Sequence, residues 1–149
     1  MTTKAKHGDI VKVRHALYVH YGVYVETSDD PHIIHYTGEN GPQDFSGMIR
    51  ETPISVFLNG ETKYSVCEFD PKNYKTIYSG EETVKRAKSK LGERNYNFLT
   101  NNCEHFAVWC KTGEEKSFQL RDLFQSLPHN LFSASYNFFS ALEEMVLGK

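Results

Sequence analysis

The first third of the chain alternates apolar and polar side chains with a period of two. Asp9-Ile10-Val11-Lys12-Val13-Arg14 does so crudely, and Leu17 to Glu26 (LYVHYGVYVE) does so cleanly. The second run places Leu17, Val19, Tyr21, Val23 and Val25 on one face and Tyr18, His20, Gly22 and Tyr24 on the other, as a strand requires. The acidic turn Thr27-Ser28-Asp29-Asp30-Pro31 separates it from His32-Ile33-Ile34-His35-Tyr36-Thr37, which the Gly38-Glu39-Asn40-Gly41-Pro42 cluster ends. These two runs predict a hairpin. Two further short runs, Ile54 to Leu58 and Tyr64 to Phe69, are bridged by Asn59-Gly60-Glu61-Thr62-Lys63 and predict a second one.

The period then lengthens. Ser79-Gly80-Glu81-Glu82 offers a cap with Glu three residues on, Val84, Ala87 and Leu91 recur at helical spacing, and Gly92 closes the run, so a helix is expected over about 80–91. A second helix is expected after Asn101-Asn102. Asparagine is a good N-cap, Glu104 belongs in a first turn, and Gly113 is a natural stop, which places Cys103 in the opening turn. Strands first and helices later predict an α+β fold, an antiparallel sheet packed against C-terminal helices.

Size and charge narrow the picture. A chain of 149 residues holds one domain with a real core and is short for two ordinary ones. The expected arrangement is a single domain over 1–149, with a core at about 8–113 and an amphipathic helical extension at about 114–149. A formal charge of −2 argues against a mainly electrostatic nucleic-acid binder, so no nucleic-acid partner is expected. The opening, Met1 to Asp9, is polar with no apolar h-region, which predicts no signal peptide and a cytoplasmic location.

Cysteine usage agrees. Cys67, Cys103 and Cys110 form neither a dense framework nor a C-x-x-C pair, so three free thiols in a reducing compartment are expected. A helix N-terminus or a nearby imidazolium lowers a thiol pKa from about 8.5 by one to several units, which singles out Cys103 as the reactive candidate. Cys110 and Cys67 read as small core residues, and from helix-start context alone an inert core thiol at Cys103 stays equally open.

A nucleophile needs a base, and the base an orienter. His20 is mid-strand with Gly22 beside it on the same face, leaving room for something to approach, and His35 sits in the neighbouring run. If the hairpin forms, both imidazoles could point at the end of the Cys103 helix. A strand histidine is more often structural than catalytic, and His32 competes with His35 because alternation puts them on opposite faces. His7, His15 and His129 are expected in solvent. Neither H-E-x-x-H nor clustered Cys pairs appear, so no metal or other cofactor is expected.

Taken together, Val19-His20-Tyr21-Gly22-Val23-Tyr24-Val25, Ile33-Ile34-His35-Tyr36 and Asn102-Cys103-Glu104-His105-Phe106 resemble the lecithin:retinol acyltransferase-like group. That group includes the H-Ras-like suppressor phospholipase/acyltransferases and belongs to the circularly permuted NlpC-type, papain-like thiol fold. The resemblance runs from about Gly8 to Gly113. It implies that Cys103 is the nucleophile, His20 the general base and His35 the second histidine, with Tyr18 near the oxyanion site and Asn102 lining it. It further implies acyl transfer through a thioester, with a phospholipid or other acyl donor as partner. One departure is visible: Tyr21 to Ile34 is a few residues longer than in the acyltransferases, by the Thr27 to Pro31 turn.

The tail bears on substrate. Leu123 to Leu142 lacks charge, yet polar residues and Pro128 interrupt it, so it is not a convincing spanning helix. Amphipathic helices covering the sheet, or a peripheral membrane contact, both fit it. Two rival functions stand beside the acyltransferase. PPPDE-type isopeptidases also order His before Cys and open a helix with Asn-Cys-x-His-Phe, and a non-catalytic interaction module could keep the same fold.

Overall fold

The computed structural model describes residues 4–16, 18–38, 47–94 and 103–114. All of these fall in the first of two units into which the chain divides, Met1–Lys116, the second being Ser117–Lys149. The expectations for Leu17, Asn102, His129 and Leu123 to Leu142 lie outside the described residues.

The fold is α+β. Strands β1 (Ile10–Arg14), β2 (Val19–Val25), β3 (His32–Thr37), β4 (Met48–Pro53) and β5 (Ser65–Val66) form one antiparallel sheet in the order β4-β3-β2-β1-β5. Among the described residues three helices accompany it: α1 (Ile54–Leu58), α2 (Gly80–Lys88) and α3 (Cys103–Thr112). The β2–β3 hairpin is present as its alternation predicts, with the turn between them exposed and tied by Thr27 Oγ1 donating to the Asp30 carbonyl at 2.7 Å.

Alternation divides the core into two. Ile10, Tyr21, Val23, Val25, Ile34 and Tyr36 pack under Val84 and Ala87 of α2 and Phe106, Ala107 and Cys110 of α3. On the other face Val11, Val13, Tyr24 and Ile33 pack around Phe57 of α1. Both faces of β2 are therefore buried, which is why its polar-looking face carries tyrosine, glycine and a buried histidine.

The second predicted hairpin does not form. Ile54 to Leu58 is the short helix α1, following Pro53 and closed by Asn59 in the left-handed conformation at φ 46°. Its apolar run reads equally as a strand by hydropathy alone, and a short helix with a single buried anchor, Phe57, leaves no alternation to distinguish it. Of the Tyr64 to Phe69 run only Ser65–Val66 pairs, and it pairs with β1. Strand β4 was not anticipated. Its Met48-Ile49-Arg50-Glu51-Thr52-Pro53 has one fully buried residue, Ile49, and so little hydrophobic signal.

Helix α2 starts as its sequence predicts, with the Ser79 hydroxyl accepting from the Glu82 N–H at 3.2 Å, and it ends at Lys88, short of the expected Leu91. Leu91 is exposed rather than core. The α2 start is pressed against the turn before β1: a Cβ added to Gly8, at φ +85°, would lie 2.2 Å from both Cα and O of Gly80. Backbone meets backbone there, so Gly8→Ala is expected to lower unfolding free energy by about 2–4 kcal/mol, read from the urea midpoint.

Candidate active site

The sheet opens where the candidate residues lie. The β2–β3 ladder joins only Val23 to Ile34, Tyr24 to Ile33 and Val25 to His32, so Val19 to Gly22 have no ladder partner on β3. Tyr24 N–H and Tyr18 C=O bond toward the β1 side, to Asp9 and His15. Alternation therefore turns the backbone groups of Val19 and Tyr21 toward the gap beside β3.

Three side chains cross or fill that gap. The first crossing is a pair of imidazoles: His20 Nε2 and His35 Nδ1 are 2.9 Å apart, both residues being buried to within 2 % of full enclosure. The second is the thiol. Cys103 Sγ, in the first turn of α3, lies 3.9 Å from the carbonyl oxygen of Val19, the residue preceding His20. The backbone N–H groups of Tyr21, Glu104 and Cys103 itself also bear on the sulfur. Among the described residues no hydrogen bond joins Sγ to either imidazole. The His rings lean on Phe57, at 5.2 and 5.3 Å between centroids, on the face opposite the Tyr21 and Phe106 cluster that holds Cys103.

Gly22 lets this happen. A Cβ there would lie 2.3 Å from Ile33 Cγ2, 3.2 Å from the Phe57 ring and 3.3 Å from His35 Cβ. The room that glycine leaves beside His20 is taken by the wall that holds the two rings.

The hydrogen-bond chain accommodates a donor order that suits a base. In that order the Thr52 hydroxyl donates to the Pro53 carbonyl at 3.2 Å and its oxygen accepts from His35 Nε2 at 2.8 Å. A neutral imidazole carries one N–H, which leaves His35 Nδ1 as acceptor for the N–H on His20 Nε2. His20 Nδ1 is then the bare lone pair of the chain, the form a general base needs. Burial keeps both rings neutral: it holds His20 well below the ordinary imidazole range, helped by the like charges of His35 and His15, and it pushes His35 down to about 3. Thr52→Val removes the acceptor at the end of the chain. It is expected to shift the His20 and His35 tautomer populations in nitrogen-15 NMR.

Sequence reasoning missed both Thr52 and Phe57. They belong to the β4–α1 segment that hydropathy misread, and a threonine carries no pattern of its own.

Burial also governs the sulfur. It pushes the Cys103 thiol up to about 11, with the Glu104 carboxylate adding to the rise, against the Tyr21, Glu104 and Cys103 N–H groups. The expectation that a helix start alone would favour thiolate is thus corrected: desolvation outweighs the backbone dipoles in the free protein. Cys67 is pushed up to about 11 and Cys110 higher still, each by burial, which suits packing roles.

The neighbours complete the site. Tyr18 is half-buried, its ring 6.1 Å from that of His20, and its phenol is raised by burial and by Cys103. His15, expected in solvent, is buried against Tyr18 at 5.1 Å between ring centroids because the β1–β2 turn folds it inward. His32 sits at the partly exposed edge with Glu51 at 3.0 Å, so His35 is the inward histidine. Glu104 is fully buried and hydrogen-bonded with the Tyr21 phenol. Among the described residues no group of three or more His, Cys, Asp or Glu could hold a metal, and no helix is long and apolar enough to cross a membrane.

Residues 3–116 match the family model described as lecithin retinol acyltransferase. The chain is 25% identical over 139 residues to lecithin retinol acyltransferase of Mus musculus, covering 80% of this chain and 60% of that protein. It is 27% identical over 121 residues to phospholipase A and acyltransferase 1 of Rattus norvegicus, covering 75% and 71%. Over 131 residues it is 25% identical to phospholipase A and acyltransferase 3 of Mus musculus, covering 78% and 76%. The chain thus spans about 60% of the length of the murine lecithin retinol acyltransferase it matches. With a family match over three-quarters of its length, the chain belongs to the lecithin retinol acyltransferase family.

Proposed function

We propose that the protein is a cysteine-dependent acyltransferase or phospholipase that acts on glycerophospholipid acyl chains through a thioester on Cys103. One observation carries this reading: a helix-opening thiol sits on the carbonyl of Val19, next to a histidine whose Nε2 is engaged by a second, threonine-anchored histidine. With the donor order given above, His20 Nδ1 carries the bare lone pair, one residue from the sulfur's contact, and no hydrogen bond to it is found among the described residues.

The chemistry follows from neutral partners. His20 Nδ1 removes the Sγ proton as the sulfur attacks the ester carbonyl carbon, so imidazolium and the oxyanion form together. Charge on His20 is stabilised by passing its Nε2–H toward His35, whose Nε2–H stays on Thr52. Backbone N–H groups at the start of α3 face the developing oxyanion. The carbon–oxygen bond to the lysolipid breaks, the lysolipid oxygen takes the proton from His20, and the acyl group remains on sulfur. Water then releases a fatty acid, or an amine or alcohol takes the acyl group, and Sγ–H is restored. Because thiol and imidazole make no bond in the free protein, the reading requires them to close on each other when substrate fills the gap.

Incubation with phospholipid vesicles, acid trapping and intact mass measurement test it: an acyl adduct that Cys103→Ala removes is the expected result. An adduct with a ubiquitin-like electrophilic probe in its place would replace the lipid reading by an isopeptidase, and neither adduct would leave a non-catalytic module.

A further inference from the structure

A groove of about 470 Å³ opens on the sheet beside the site, lined by Lys12, Arg14, Val19, Glu61 and Lys63 among others. Its position follows from register. Val11 and Val13 face Phe57, so Lys12 and Arg14 point with Ile10 to the helix side of the sheet, the face that holds Cys103. There Lys12 stands across from Tyr21 and Arg14 across from Val19 on β2, and Lys12 across from Ser65 on β5. Val19 is thus wall to the groove with its side chain and partner to the sulfur with its carbonyl. Three cations and one carboxylate converge on it, and Lys12 and Arg14 are exposed at its floor without an ion pair among the described residues.

Resting on the lipid reading above, we propose that this groove is the headgroup subsite of the acyl donor and selects phospholipids of net negative charge. The donor's phosphate diester would sit on Lys12, Arg14 and Lys63 while its acyl ester reaches past Val19 to Cys103. Arginine supplies a bidentate fork for the diester oxygens, and the lysines supply mobile point charges. A choline headgroup brings a cation of its own into a groove already positive by two, three cations less Glu61, whereas a glycerol headgroup brings none. The groove therefore sorts donors by headgroup and leaves the acyl chemistry to the Cys103 side.

The test uses monomeric dihexanoyl phosphatidylglycerol and phosphatidylcholine, so that no membrane surface contributes. In the full chain, kcat/KM is expected to favour the glycerol lipid by roughly five- to tenfold, and Lys12→Glu with Arg14→Glu to bring that ratio to one or below. Turnover of p-nitrophenyl butyrate, which has no phosphate, should stay within about twofold, since both substitutions are at exposed positions. An unchanged lipid ratio, or an equal fall with all three substrates, overturns the headgroup subsite. Calorimetric binding of the same two lipids to a Cys103→Ala protein gives a reading that needs no catalysis. Preferential binding of the glycerol lipid that the double charge reversal removes would uphold the subsite even if no turnover is found, and failure to turn over any ester would count against the thioester reading alone.

Discussion

Cys103→Ala is expected to abolish acyl adduct and lipid turnover together, a loss on the order of 10⁴-fold or more in kcat/KM, with only a modest fall in the urea midpoint. The residue is buried among Tyr21, Phe106 and Ala107, and removing one sulfur atom there costs about 1 kcal/mol. Cys103→Ser should be as inactive, because a buried hydroxyl holds its proton more tightly than a thiol already raised to about 11. That raised thiol also changes which experiment is informative. Iodoacetamide at pH 7 will label the free protein slowly whether or not Cys103 is a nucleophile, since burial keeps it protonated, so slow labelling is no argument for a non-catalytic module. Substrate-dependent acylation does separate the two. Residual turnover of more than a hundredth of wild type in the alanine protein would remove the thioester from the mechanism.

The sequence made some of this legible for a definable reason. Strands β2 and β3 carry period-two alternation, and α2 carries a Ser79 cap and a 3.6-residue repeat, so local chemistry and final structure agree. Cys103 at the start of α3 followed from asparagine before it and glycine after it. What escaped was whatever depends on contacts between distant segments. Phe57 becomes the floor under two histidines only after Ile54–Leu58 coils into a helix against β3, and Thr52 becomes an anchor only through the β3–β4 register that pairs Ile33 with it. His15 looked solvated because its burial comes from a turn, and the thiol looked acidic because helix position is local while desolvation is a property of the whole packed site. The gap between β2 and β3 is of the same kind: alternation announces two strands and says nothing of where they part.

The buried histidine pair sets the second large expectation, loss of stability in mild acid. In the unfolded chain His20 and His35 titrate near their ordinary value of about 6.5, whereas the folded protein holds His20 well below that and His35 near 3. Between those values the unfolded state binds more protons than the native one, so stability rises with pH and falls as the solution is acidified. The loss begins as pH drops through about 6.5 and for His35 continues toward 3, at up to roughly 1.4 kcal/mol per unit or about 3 kcal/mol by pH 4.5, and His20 adds a loss of the same sign. The His35 share alone is about a fifth or more of the stability of an ordinary domain, so marked destabilisation below about pH 5 is expected. His35→Gln keeps an amide that can meet both His20 and Thr52, and it removes one titrating group. It should halve the slope of unfolding free energy against pH between 6 and 4.5 while lowering the plateau at pH 7.5. A urea series across that range measures both, and a flat profile in the wild-type protein would mean that the two rings take up protons in the folded state and are not the neutral relay their hydrogen bonds describe.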